Sequence, residues 1–228
     1  LQRERRCGIL ERMGKREDAM NTEFFDKNAA SWDQKRERGE RAKKIYGLIA
    51  GNVTLAADAA VLDFGCGTGL LGLCFADGRR RVTFADTSAG MLREVEAKLR
   101  ENSVRDLQSP GCSVLDLSQA AITADYDLIV SLLAFHHVED IDSTLAALAS
   151  RVKPAGWIAL SDLDVEDGSF HAPEVVPHNG IDRAPLAAAL REKGFTVVFD
   201  AIVHTNEKMV GGKKREYPVF LLIARKGV

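Results

Sequence analysis

Cysteine is scarce: four in 228 residues, at Cys7, Cys66, Cys74 and Cys112, with no CxxC spacing. That pattern argues against a zinc ribbon and against a disulfide framework, and it fits a reducing, cytoplasmic compartment. No run of about 18 apolar residues exists, so no membrane-spanning helix is expected. No signal-type apolar core follows the basic start. Neither sign of charge dominates: 31 Lys and Arg stand against 33 Asp and Glu, a formal net charge of −2. A dedicated nucleic-acid binder carries a basic excess, so none is expected as partner. Internal repeats and low-complexity linkers are missing too, which leaves one domain. The rest is ordinary globular composition, 46% hydrophobic and 28% charged, in a chain long enough to bury a large core without staples.

Leu1 is not an initiator methionine, and residues 1–19 are mostly polar. They are expected to be a flexible arm or an appended extension. Met20 is a candidate start, and Ile9, Leu10 and Met13 allow a short helix. Ser31 is expected to cap a helix to about Ala50 with Ala42, Ile45, Tyr46, Leu48 and Ile49 inside. The charges Lys35, Arg36, Glu37, Arg38, Glu40 and Arg41 read as its solvated face.

Short apolar runs then alternate with helical patterns. Strands are expected at Ala60–Phe64, Arg81–Ala85, Cys112–Leu115, Tyr126–Leu132 and Trp157–Ser161. Helices are expected at Gly69–Ala76, Ser88–Asn102, Ile141–Val152 and Asp182–Lys193. Such alternation gives a parallel sheet covered on both faces. Phe195–Val203 and Tyr217–Ala224 have no helix between them, only a polar turn at Gly211-Gly212. They should pair antiparallel, with Pro218 at the beginning of the last strand.

The segment Val61-Leu62-Asp63-Phe64-Gly65-Cys66-Gly67-Thr68-Gly69 joins the first strand to its expected helix. Glycines there allow a sharp turn and close approach of a ligand to backbone N–H groups. Gly67–Gly72 also matches GxGxxG, which keeps open an NAD(P)-dependent oxidoreductase. Asp63 argues against that register, since a carboxylate suits an ammonium and repels a pyrophosphate. Asp86 ends the second strand, where it can accept bonds from ribose hydroxyls. Met91 is either an adenine contact or the first core residue of its helix. Asp116 is either an acceptor for an adenine amino group, with the Leu117 N–H on a ring nitrogen, or a surface turn residue.

VLDFGCGTG, FADTSAGML, LDL, YDLIVSLLAFHHV and VKPAGWIALSD together resemble the class I S-adenosylmethionine-dependent methyltransferase family. They are similar in particular to the small-molecule branch that includes the ubiquinone and menaquinone biosynthesis C-methyltransferases. FDKNAASWDQKRERGERAKKI resembles the lid start of that branch, and the likeness covers roughly residues 24–162. It implies an α/β, Rossmann-like fold: a seven-stranded, mostly parallel sheet in the order 3-2-1-4-5-7-6, the last strand antiparallel, helices on both faces. It implies S-adenosylmethionine as cofactor. Asp63 with the Gly65 and Gly67 backbones then holds the methionine part, Asp86 the ribose, Asp116 and Leu117 the adenine, and the Ser131 carbonyl the ammonium. Cys66, Thr87 and Met91 fall inside the same motifs. Trp32 either closes over the cofactor or anchors the helix. Ala155 stands where the family has a second glycine.

The expected organisation is a single domain over residues 20–228, with a lid at about 20–55 and a substrate-cap insertion at about 163–180. The expected reaction is in-line methyl transfer to O, N, S or C of a small-molecule acceptor. A cofactor-binding module without catalysis is the further alternative. No NPPY-like or DPPY-like segment and no Pro-Cys dipeptide occurs, which disfavours the enzymes that methylate DNA bases. His136 and His137 lie at the tip of the fourth strand, where a general base is useful. His136 is the expected base. The insertion brings His171 and His178, and its DGSFH…H-G run resembles an uncharacterised methyltransferase subgroup. His136, His171 and His178 are therefore the catalytic candidates. Asp164 or Glu166 with the histidines would offer metal ligands, but no ligand spacing supports it, and no metal is expected.

Overall fold

The computed structural model describes residues 18–104 and 111–228. The arm expected over residues 1–19, with Cys7, Ile9, Leu10 and Met13, lies almost wholly outside the described residues.

Helix α1 (Asp18–Asn28) and a 3-10 turn (Ala29–Gln34) precede α2 (Arg36–Asn52). The core alternates β1 (Ala60–Phe64), β2 (Arg81–Asp86), α3 (Ala89–Val104), β3 (Cys112–Asp116), β4 (Tyr126–Leu132), α4 (Ile141–Arg151) and β5 (Val152–Leu163). It closes with α5 (Arg183–Glu192), β6 (Phe195–Val210) and β7 (Lys213–Lys226). The seven strands form one sheet in the order β3-β2-β1-β4-β5-β7-β6. β7 runs antiparallel to both of its neighbours.

Alternate residues of each central strand feed opposite faces. Leu62, Ile129, Leu160 and Leu222 join Leu145, Leu148, Leu186 and Leu190 of α4 and α5. Val61, Leu128, Val130 and Leu221 join Ile45, Ile49, Leu92 and Val95 of α2 and α3. Double coverage is why these strands read as continuous apolar runs. Helix starts are fixed locally. Asp140 caps α4 by accepting from Ser143 N (2.9 Å), and Asp182 caps α5 through Ala184 N (2.9 Å). The Ser88 hydroxyl accepts from Met91 N (3.1 Å) at the start of α3.

Three expectations about the elements are corrected. Ser31 does not cap α2, which begins at Arg36; its hydroxyl donates to the Asn28 carbonyl at 3.2 Å instead. The expected helix Gly69–Ala76 shrinks to a 3-10 turn at Gly72–Cys74, because Gly72 N–H donates to the Asp63 carboxylate at 2.8 Å. Pro218 lies inside β7, beyond the last β5 pairing at Leu163–Val219, where the sheet no longer needs its missing N–H.

The β6–β7 hairpin extends well past the sheet through Gly211 and Gly212 and supports the segment after β5. Lys208 Nζ donates to the Phe170 carbonyl at 2.6 Å, and Ser169 Oγ meets Tyr217 OH at 2.6 Å. Phe170 packs on Leu163, Tyr217 and Val219. The insertion is thereby held at the carboxyl end of β4 and β5.

Candidate active site

One cavity of about 700 Å³ opens at the carboxyl ends of β1, β2 and β4. This is where open α/β sheets hold ligands. The glycine-rich turn makes its floor. Gly65 has φ +65°, and a Cβ there would run into the Ala134 Cβ, so glycine is required. Gly67 has φ +51° and nothing within 4 Å of a built Cβ, so its backbone is open to a ligand.

Asp63, Gly65, Cys66, Gly67, Asp86, Thr87, Met91, Leu117 and Trp32 all line this cavity. Asp63 is buried, and burial raises its carboxyl to about 7 against the Gly72 hydrogen bond, with Asp86 adding a like charge. The Asp86 carboxylate accepts from Gly67 N (2.8 Å) and Ser88 N (2.9 Å), and burial raises its pKa despite those bonds. Each of its oxygens retains a lone pair for a ligand hydroxyl. Burial pushes the Cys66 thiol up, so it stays protonated and contributes no nucleophile.

Other expected contacts fall elsewhere. Asp116 is not on the wall; its carboxylate accepts from Ser118 N (2.9 Å) and Gln119 Nε2 (2.8 Å). Leu117 N–H is spent on the Asp86 carbonyl at 2.9 Å. The ring slot expected there is instead walled by Met91, Leu117, Ala121 and Ile122. Ser131 is buried behind the wall and donates its hydroxyl to the Phe64 carbonyl at 2.8 Å. The chain reaches the cavity just after it, at Leu132, Leu133 and Ala134. Leu133 has φ +54°, a strained backbone that turns the chain off β4 into the site.

The histidines are distributed unexpectedly. His137, not His136, lines the cavity, and its ring stands edge-on to Phe25 at 5.1 Å. His136 is buried behind it, its Nδ1 on Asp162 Oδ1 at 2.5 Å. Asp162 Oδ2 also accepts from Phe135 N at 2.8 Å. His171 packs 4.8 Å from His136 and 5.2 Å from His137, ring centre to ring centre. His178 does not join them: its Nε2 donates to the Val138 carbonyl at 2.9 Å, which pins the insertion to the turn after β4. Burial and the neighbouring rings hold His137 down to about 2 and His171 down to about 4. Both imidazoles are neutral near pH 7 and weak as proton acceptors.

Sequence reasoning missed Phe25, Arg38 and Arg41, all on the cavity wall. Arg38 lies over the Trp32 ring at 3.6 Å and donates to the Trp32 carbonyl at 2.6 Å. Arg41 Nη1 donates to Asn206 Oδ1 at 2.7 Å, while its buried Nε has no partner among the described residues. Burial and Arg38 push Arg41 down to about 10, so it remains a cation at neutral pH. The signal was a three-residue spacing, which places both arginines on one helix face. The α1 helix and 3-10 turn that precede them are latched to the core. Asp26 Oδ1 accepts from Ser88 Oγ (2.6 Å) and Gly90 N (2.7 Å), and Lys98 pairs with Asp33.

Comparisons with known proteins agree with this geometry. A methyltransferase domain family model matches residues 62–158. Over 106 residues the chain is 32% identical to malonyl-acyl-carrier-protein O-methyltransferase of Priestia megaterium, covering 46% of this chain and 36% of that protein. Over 114 residues it is 33% identical to a ubiquinone biosynthesis O-methyltransferase of Albidiferax ferrireducens, covering 50% of this chain and 45% of that one. These matches span less than half the length of either relative. The magnesium protoporphyrin IX methyltransferase of Synechocystis, solved with bound S-adenosylmethionine, superposes with a TM-score of 0.64. It is 19% identical and covers 86% of this chain and 82% of its own. Residues 62–158 thus match the methyltransferase domain family, and the chain has the Rossmann-like methyltransferase fold.

Proposed function

We propose that this protein binds S-adenosylmethionine in the 700 Å³ cavity and transfers its methyl group to a small-molecule acceptor. The observation that carries the reading is one set of charged groups lining one cavity. Asp63 offers a carboxylate to an ammonium, Arg38 and Arg41 offer cations to a carboxylate, and Asp86 offers acceptors to ribose hydroxyls. That set is complementary to an amino acid joined to a nucleoside. The orphaned Nε of Arg41 is the kind of buried donor that a bound carboxylate satisfies. Met91, Leu117, Ala121 and Ile122 supply an apolar slot for a base. The GxGxxG register fits less well, since Gly72 N–H is occupied by Asp63.

When bound, this cofactor supplies an activated methyl carbon on a sulfonium. The chain's own work is then orientation and exclusion of water. Phe25 and Trp32, in edge contact at 5.5 Å, close one side of the cavity. Leu133, Ala134 and His137 shape the end beyond β4, where the acceptor enters. Both relatives named above are O-methyltransferases, which favours an oxygen acceptor. His137 faces the acceptor in this reading, with His136 and His171 packed behind it and His178 anchoring the insertion.

The test is methyl transfer from isotopically labelled S-adenosylmethionine to a panel of small hydroxyl, thiol and amine acceptors. Labelled product with any of them supports the reading. Tight cofactor binding with no turnover across the panel favours a binding module instead.

A further inference from the structure

We propose that His136, His137 and His171 form a three-imidazole site for a divalent transition-metal ion at the acceptor end of the cavity. The ligating atoms of the three rings lie within 4.8 Å of one another. Two come from the 3-10 turn after β4 and the third from the insertion, so separate segments converge on one point.

His136 is held as a metal ligand is held. Its Nδ1 is tied to Asp162 at 2.5 Å, and Asp162 is itself fixed by Phe135 N and Leu163 N. A carboxylate on Nδ1 makes that nitrogen the N–H, which leaves Nε2 as a bare lone pair. That Nε2 is buried and has no partner among the described residues, and the same holds for His171 Nε2. Rings packed only as apolar filler would not need a buried carboxylate to fix one tautomer.

Imidazole suits zinc, iron, copper or nickel. A tetrahedral zinc site has Zn–N of about 2.0–2.1 Å and ligand nitrogens about 3.3 Å apart. With His136 held by Asp162, the His137 and His171 rings would have to turn inward from the present spread of up to 4.8 Å to reach that geometry. Three imidazoles leave a fourth position open, the arrangement of catalytic rather than structural zinc. His137 turns that position toward the cavity. The ligand it would take is a hydroxyl or thiol of the acceptor, which releases its proton to water on coordination. That last role rests on the methyl-transfer reading; metal binding itself does not.

The experiment uses the full chain without a histidine tag, stripped with a chelator and titrated with zinc by calorimetry and with cobalt by visible absorption. The expected result is one ion per chain and tetrahedral cobalt bands. His171→Ala, on the insertion and away from the sheet, should weaken binding by at least about tenfold. Asp162→Asn, which alters only the positioning partner, should weaken it by about 10–100-fold. His204→Ala, on β6, should bind as the parent does. No stoichiometric ion in the parent, or unchanged affinity in both His171→Ala and His136→Ala, overturns the proposal. S-adenosylmethionine binding is measured on the same samples: its loss with metal binding intact removes the methyl-transfer reading and leaves the site standing.

Discussion

The Asp33 carboxylate accepts the Thr68 hydroxyl at 2.6 Å, joining the turn before α2 to the glycine-rich loop. Lys98 adds to the latch by donating to the Thr68 carbonyl at 2.6 Å and pairing with Asp33. Hydrogen bonds to a charged group contribute about 1.5–3 kcal/mol. Thr68→Ala should therefore weaken cofactor affinity by about tenfold or more and speed proteolysis within residues 18–35. Equal affinity and equal protease resistance would show that the latch does not govern closure.

Asp63 sets a pH dependence. Its folded pKa is raised from 3.8 to about 7 by burial. Its neutral form is thus favoured in the ligand-free fold, a stabilisation present below the ordinary value and lost as pH rises through about 7. A ligand ammonium needs the ionised form. Affinity for S-adenosylmethionine should rise as pH approaches about 7 and level off above it, while the ligand-free melting temperature falls from about pH 4 to about pH 7 and then levels. Asp63→Asn should flatten both profiles, and a profile in that variant parallel to the parent's would remove the assignment.

Arg41 is expected to face the carboxylate of the cofactor. Arg41→Gln should weaken S-adenosylmethionine by about 10–100-fold, the loss of one charge-assisted bond in a buried place. Decarboxylated S-adenosylmethionine should bind parent and variant alike. An equal loss for both ligands would place Arg41 on another group.

Ala155 has φ +59°, in the left-handed region, where a Cβ costs about 1–2 kcal/mol. Ala155→Gly relieves that at some cost in unfolded-state entropy. The expected net gain is roughly 0.5–1 kcal/mol, or a rise of about 1–4 °C in Tm. A lower Tm would contradict it.

The sheet was legible in the sequence because burial on both faces writes strands as apolar runs, and Tyr126–Leu132 matched to the residue. The terminal hairpin was legible because no helix fits between its strands. The glycine-rich turn misled: its spacing allows a helix, but the bond from Gly72 to Asp63 forms only when both are folded together. Arg38 and Arg41 read as solvated charge because nothing local reveals that Trp32 of the 3-10 turn covers the one and Asn206 of β6 meets the other. His136 and His137 are neighbours on a 3-10 turn, and spacing cannot say which faces the cavity. Asp116 shows the same limit at the end of β3, since Ser118 and Gln119 capture its carboxylate only once the turn has formed.

The central claim is that the cavity is built for S-adenosylmethionine. Calorimetry of the full chain against S-adenosylmethionine, S-adenosylhomocysteine and the nicotinamide dinucleotides tests it most directly. The account predicts one site for each of the first two, loss of both in Asp86→Ala, and no heat from the dinucleotides. Binding of a dinucleotide alone, with Asp86→Ala indifferent to S-adenosylmethionine, would contradict it.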